Sequence, residues 1–447
     1  MTHPSDIDSR QPLYRALPIL DVVEAAPLDV VEEAPADVIE VAPPPPFVLP
    51  VESTEPPLVE LASPRRSVPF RVHYAIFAVI EWLCGGATLM IGLAILAAIP
   101  ILNLLSLGYL LEAGGRIARS GRLRDGFIGV RLAARLGGIV AASQVLLFPV
   151  YFVADMAKSA AIIDPGGKTA QNWRIGLMIL IALTFVHIAA TCARGLKLLA
   201  NKEPWYFVLT ILLFLWPFNV IWLAGRILRG GYYTEARDAV WDTVMSLRLP
   251  YYFWLGFRGF VGAFAWLVLP ISLLAVSRFG QSGGASLLGF IGALMLAVIL
   301  PYLPFLQMRL AQTNRLRGAF QLGAVRRDFG RAPWAFAFAF VVTLLFALPL
   351  YLLKIQIVPR EAAWLPSLVF IVFIFPARLL TGWALGRANR RAQPRHWFFR
   401  WTGRLPFLPA AAFYVLIVFF TQYTSWNGVW SLYEQHILLV PVPFLGM

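Results

Sequence analysis

From residue 73 onward the chain alternates long apolar runs with short arginine-rich stretches. Several runs exceed the ~18 apolar residues that mark a membrane-spanning helix, and none alternates with the period of two expected of a barrel strand. The first apolar stretch, residues 73–113, is interrupted only by Glu81 and Glu112. At ~1.5 Å per residue it reaches ~60 Å, about two hydrocarbon cores, which predicts two crossings. The turn between them is expected near Gly85–Gly86 or near Pro100–Asn103. Further spans are expected at 137–157, 173–193, 257–277, 284–306, 334–354, 364–385 and 405–424.

The run 205–225 reads differently. Both of its flanks are basic: Arg194, Lys197 and Lys202 precede it, and Arg226 and Arg229 follow. Trp216-Pro217-Phe218-Asn219 interrupts it in the middle, where proline breaks a helix and asparagine is costly in lipid. A re-entrant or interfacial segment is expected there. The fold class is therefore all-α, a polytopic helical transmembrane bundle of about nine spans (range about 8–10), with interfacial amphipathic helices.

Charge divides the chain in two. The net charge of +14 combines −10 over residues 1–64 with +24 over the remainder. The acidic part repeats an eight-residue unit, "DVVEAAPL", "DVVEEAPA", "DVIEVAPP", and continues into Pro43 to Pro46. Repeated proline with like charges cannot build a core, so residues 1–69 are expected to form a disordered acidic tail and 70–447 the membrane domain. The start lacks the short apolar core of a cleavable signal. In the membrane domain, arginine concentrates in 114–136, 309–333 and 386–404, while 155–172, 278–283 and 354–363 are poor in net charge. The positive-inside rule places the first set in the cytoplasm, with the N-terminus inside and the C-terminus outside. A bacterial inner membrane is the expected location. The basic balance points to anionic headgroups rather than to nucleic acid, for which no motif with interleaved aromatics is present.

One basic phrase recurs. "RIARSGRLRDGF" (116–127) matches "RLAQTNRLRGAF" (309–320), and a looser copy opens "RILRGG" at 226. The three elbows, 116–136, 226–250 and 309–333, each follow an apolar run and lead into a helical stretch. Gly121, Gly231 and Asn314 close the phrase, where a left-handed residue ends a helix. Arg124, Arg131 and Arg135 form a basic stripe after copy one, and Arg317, Arg327 and Arg331 one after copy three. Glu235, Asp238 and Asp242 form an acidic stripe after copy two. The basic helices are expected to lie in the interface and contact anionic lipid or a protein partner through Arg116, Arg119, Arg122, Arg124, Arg131, Arg135, Arg315 and Arg317. The alternative is that charge merely fixes topology, with the acidic helix paired between the two basic ones.

The segment "PILNLLSLGYLLEAGGRIARSG" (100–121) resembles part of an uncharacterised bacterial multi-pass membrane family of unknown function, through Pro100, Asn103, Gly108, Tyr109, Leu110 and Leu111. The likeness covers about forty residues well and the later copies weakly. It implies a multi-pass membrane protein without an assigned activity, and it carries over no catalytic residue.

Candidate chemistry inside the spans is sparse. Thr184, His187, Thr191 and Arg194 lie on one helix face at spacings of 3, 4 and 3. They could line a polar transport path or bond helices together. Cys84 and Cys192 sit in apolar runs and read as free thiols rather than a disulfide, although the bridge stays open. No metalloprotease, nucleophile-elbow or paired zinc-ligand motif occurs, so neither cofactor nor metal is expected. The reading is a non-enzymatic membrane protein that organises or assists at the membrane through a basic cytoplasmic face. The alternative is a permease. The protein partner of such a face is another protein or a second copy of this chain.

Overall fold

A computed structural model describes residues 68–199, 205–216, 218–230, 232–279, 283–348, 364–424 and 431–434, together with Leu439. The expected tail, 1–69, lies almost entirely outside the described residues, and the segment 354–363 lies wholly outside them. Every regular element among the described residues is helical. In chain order these are α1 (Val68–Ala98), α2 (Asn103–Ser120), α3 (Val130–Ile163), α4 (Lys168–Leu199), α5 (Trp205–Phe214), α6 (Asn219–Leu228), α7 (Tyr232–Ser246) and α8 (Leu249–Phe279). There follow α9 (Gly283–Ile299), α10 (Leu303–Thr313), α11 (Leu322–Arg331), α12 (Pro333–Leu345), α13 (Trp364–Asn389), α14 (Trp397–Thr402), α15 (Phe407–Thr424) and α16 (Ser431–Glu434). Short 3₁₀ turns cover Leu123–Gly126 and Leu316–Phe320.

Six helical stretches are long and apolar enough to cross a membrane, and three bent pairs raise the figure to as many as nine. The bent pairs are α5 with α6 at 89°, α9 with α10 at 47°, and α11 with α12 at 113°. One of these bends, and a separate turn at Pro100, alter the expected spans. The stretch 284–306 is not one straight helix, because Leu300-Pro301-Tyr302 ends α9 and α10 starts in a new direction. The run 73–113 turns at Pro100, while Gly85 and Gly86 continue α1. Its second half, α2, is not among the candidate spans.

Instead α2 forms the centre of the fold. Thirteen of its eighteen residues are buried, from Asn103 to Ala118. It packs against α8, α13, α10 and α1. Small residues allow this. A Cβ at Gly108 would overlap the Tyr252 carbonyl, and one at Gly256 would overlap that of Leu104, so α2 and α8 cross with glycine on both sides. Gly114 and Gly382 do the same for α2 and α13. Where lipid replaces water, such backbone contact substitutes for hydrophobic burial as the source of helix association. The outer helices behave oppositely: Phe148 on α3 is 71% exposed and Phe185 on α4 is 72% exposed, as expected of surfaces that face acyl chains.

The expected break between an interfacial helix and a span after copy one is absent. Residues 130–163 form a single helix of 34 residues. At ~1.5 Å per residue that is ~50 Å, well beyond a ~30 Å hydrocarbon core, so one rod serves both purposes. The acidic helix α7 packs on α4 and α6 rather than between the basic helices. Its Asp238 pairs with the neighbouring Arg237 at 2.9 Å.

Candidate functional site

Each of the three copies of the basic phrase contains a left-handed residue. Gly121 (φ 72°), Gly230 (φ 75°) and Asn314 (φ 52°) are all left-handed. In copy two the positive φ thus falls one residue before the expected Gly231, which itself lies outside the described residues. After Gly121 and Asn314 the next residue, Arg122 or Arg315, is extended, and a 3₁₀ turn begins at Leu123 or Leu316. A left-handed residue ends the helix, and an extended one redirects the chain.

The ends of α2, α10, α11 and α13 meet at one end of the bundle. Arg119 Nη1 donates to the Ala311 carbonyl at 2.9 Å, and Asn389 Nδ2 donates to that of Ala118 at 3.1 Å. Arg391 Nη1 donates to the Arg331 carbonyl at 3.0 Å. Segments far apart in the chain, each dense in arginine, therefore sit together. Arg119, Arg309, Arg327 and Arg331 line a cleft of about 490 Å³, with Asp328 among them.

Buried carboxylates take up part of this charge. Glu112 on α2 accepts from Arg116 Nε at 3.0 Å, Arg119 Nη2 at 2.7 Å and the Tyr251 hydroxyl at 2.8 Å. Glu81 on α1 pairs with Arg135 at 3.3 Å and lies 3.8 Å from Arg131. Asp328 on α11 pairs with Arg309 at 2.7 Å and Arg331 at 3.5 Å. The eight arginines expected at the lipid or partner surface thus separate. Arg135 is only 1% exposed and is a partner of Glu81, so it is no surface contact. Arg116 and Arg119 are held by Glu112, and Arg131 stays exposed beside Glu81. Arg122, Arg124, Arg315 and Arg317 are exposed, and no ion pair forms on them among the described residues.

The expected polar path has structural uses. His187 Nε2 lies 2.9 Å from the carbonyl of Phe214, the last residue of α5. Asn219 Nδ2 donates to the Leu213 and Trp216 carbonyls at the bend between α5 and α6. Thr191 is buried and donates to the carbonyls of His187 and Ile188 on its own helix. Thr184 is half-buried, and the side chain of Arg194 lies outside what is described. Cys84 and Cys192 are both free thiols.

Three features escape the sequence reading. Asp328 looks like one acid in a basic segment, yet it is 4% exposed and holds two arginines. Arg378, inside an apolar run, is 3% exposed and donates to Gln307 Oε1 from α10. A third is a ladder at spacing four, Trp383, Arg387, Arg391, Arg395 and Phe399, which lines one groove. Its period was readable. Its concave shape was not, because α12 supplies the opposite wall. No protein-family model, no curated protein and no solved structure matches this chain, so its function is read from the geometry of this basic end.

Proposed function

We propose that the chain is a non-enzymatic integral membrane protein that organises or assists at the membrane by holding anionic headgroups on its basic end. The gathering of the α2, α10, α11 and α13 ends carries this reading, because three buried carboxylates leave Arg122, Arg124, Arg315 and Arg317 exposed there. Exposed aromatics accompany them: Trp397 is 66% and Trp401 56% exposed. Aromatic side chains with arginine at one level are what a membrane–water interface selects. On the positive-inside rule this end is cytoplasmic, and the 89° bend between α5 and α6 fits a re-entrant segment whose basic flanks stay on that side. A bacterial inner membrane is the location we propose.

The test places the full chain in phosphatidylcholine nanodiscs and measures binding of vesicles containing phosphatidylglycerol. Binding should fall with salt, because exposed charges are screened over ~8 Å at physiological ionic strength. The variant R122Q/R124Q/R315Q/R317Q should bind markedly more weakly, since each basic side chain near such a surface contributes ~1 kcal/mol. Salt-independent binding, or equal binding of variant and parent, would sink the reading.

The permease alternative has less support, since His187 and Thr191 are engaged with backbone carbonyls. His187→Leu should lower stability by ~0.6–2 kcal/mol, as for other intramembrane hydrogen bonds. A variant of unchanged stability that abolished a solute flux would favour the transport path instead.

A further inference from the structure

The groove between α12 and the end of α13 is built differently from the neighbouring cleft. It holds about 480 Å³ and is lined by Trp383, Arg387, Arg391, Arg395 and Phe399 along the chain after the middle of α13, and by Trp334 and Phe338 from α12. No carboxylate is among its lining residues, whereas the cleft has Asp328. The arginines are prepared rather than loose. Arg387 stacks over Trp383 at 5.3 Å, and Arg395 lies over Phe399 at 6.0 Å. Arg391 is half-buried and donates to the Arg331 carbonyl, which leaves its other nitrogens available to a ligand. Burial, with Arg395 and Arg387 beside it, pulls the Arg391 guanidinium below its usual pKa.

Arg387 and Arg395 both lie close enough to Arg391 to act on its charge, and like charges so placed repel one another unless an anion lies between them. Helix-dipole complementation explains Arg387 in the last turn of α13, but not Arg391 and Arg395, which lie past its end at Asn389. A free phosphate would use the arginines and have no use for the aromatic wall. A lipid uses both, because its phosphate sits at the headgroup level while its acyl chains run toward the hydrocarbon. Trp383 lies one helical turn inward from Arg387, on the side of the apolar run.

We propose that this groove holds one anionic phospholipid, its phosphate on Arg387, Arg391 and Arg395 and its acyl chains against Trp334 and Trp383. The proposal rests on reading the basic end as a headgroup surface, and narrows it to one lipid and one groove. Arginine suits the task through its planar fork, which meets two phosphate oxygens at once.

The full chain, extracted from nanodiscs of phosphatidylcholine with a minority of phosphatidylglycerol, would be examined by native mass spectrometry. The parent should retain one phosphatidylglycerol that inorganic phosphate does not displace. R387Q/R395Q, both exposed positions, should retain it at least about tenfold less. Trp334→Ala keeps every charge and should also weaken retention. R315Q/R317Q removes as many charges elsewhere on the same end and should retain the lipid like the parent. Equal loss in R315Q/R317Q and R387Q/R395Q would overturn the groove while leaving the general headgroup reading intact. Displacement by inorganic phosphate, or a Trp334→Ala variant that retains the lipid fully, would overturn the lipid in favour of an ion. If the nanodisc–vesicle test above also showed no dependence on anionic lipid, both readings would fall together.

Discussion

The elbow after α2 and the elbow after α10 run through the same backbone steps: a helix closed by a left-handed residue, an extended arginine, then a 3₁₀ turn. Their arginines are held in different ways. After α2, Arg116 and Arg119 turn back to Glu112, four and seven residues earlier on the same helix. After α10, Arg309 reaches forward to Asp328 on α11. The repeat therefore specifies how a helix ends and turns, not a charge site. Which arginines remain for a ligand depends on where a carboxylate happens to be buried.

That comparison can be broken most sharply at Glu81, which serves the far end of the first elbow. Glu81→Leu leaves Arg135 buried without its carboxylate, and should cost ~3–5 kcal/mol in a thermal or denaturant unfolding measurement. The double variant E81L/R135L should recover much of that loss. If the single variant unfolds like the parent, the pair does not hold α1 to α3.

Next in size is the contrast between the two neutralising acids. Glu112→Gln weakens bonds to three donors and Asp328→Asn to two, so the former should lose more, each within ~1.5–3 kcal/mol per charged bond removed. Asp328→Asn should in addition raise binding of anionic vesicles, because Arg309 and Arg331 line an open cleft. Glu112→Gln should change vesicle binding less, because Arg119 also donates to the Ala311 carbonyl. Equal vesicle binding by both variants would remove the distinction between the elbows.

The smallest effect concerns the shared backbone. Gly121→Ala should cost ~1–2 kcal/mol, because a Cβ is strained in the left-handed region. Asn314→Gly should be within a few tenths, since asparagine already tolerates that conformation. A neutral Gly121→Ala would mean that the turn is not what this position requires.

Much of the architecture was legible because lipid imposes length and apolarity on any span. The helices α4, α8, α13 and α15 fall where the apolar runs lie. The break at Pro100 and the bend between α5 and α6 were marked in the sequence by residues that a continuous helix does not accept. The rotation that buries α2 was less visible, since Gly108, Gly114, Gly256 and Gly382 are ordinary glycines until two helices are laid across each other. The basic stripe of Arg131 and Arg135 misled for a related reason. Its spacing describes an interfacial helix equally well, and only the position of Glu81 on α1 turns Arg135 inward.

The sequence by itself determined that the described residues are helical with apolar runs long enough to span, the elbows, and the left-handed Gly121 and Asn314 that close two of them. These follow from local rules: helix rise against membrane thickness, the cost of proline inside a helix, and the steric freedom of a residue without a bulky Cβ. Only the tertiary structure decided which arginines are free and which are spent. A charge is neutralised through space, over a few ångströms, by side chains as distant in sequence as Glu81 and Arg135. The same holds for the groove of Arg387, Arg391 and Arg395. Their spacing is written in one segment, but the wall opposite, Trp334, comes from another helix, and a concave surface needs both.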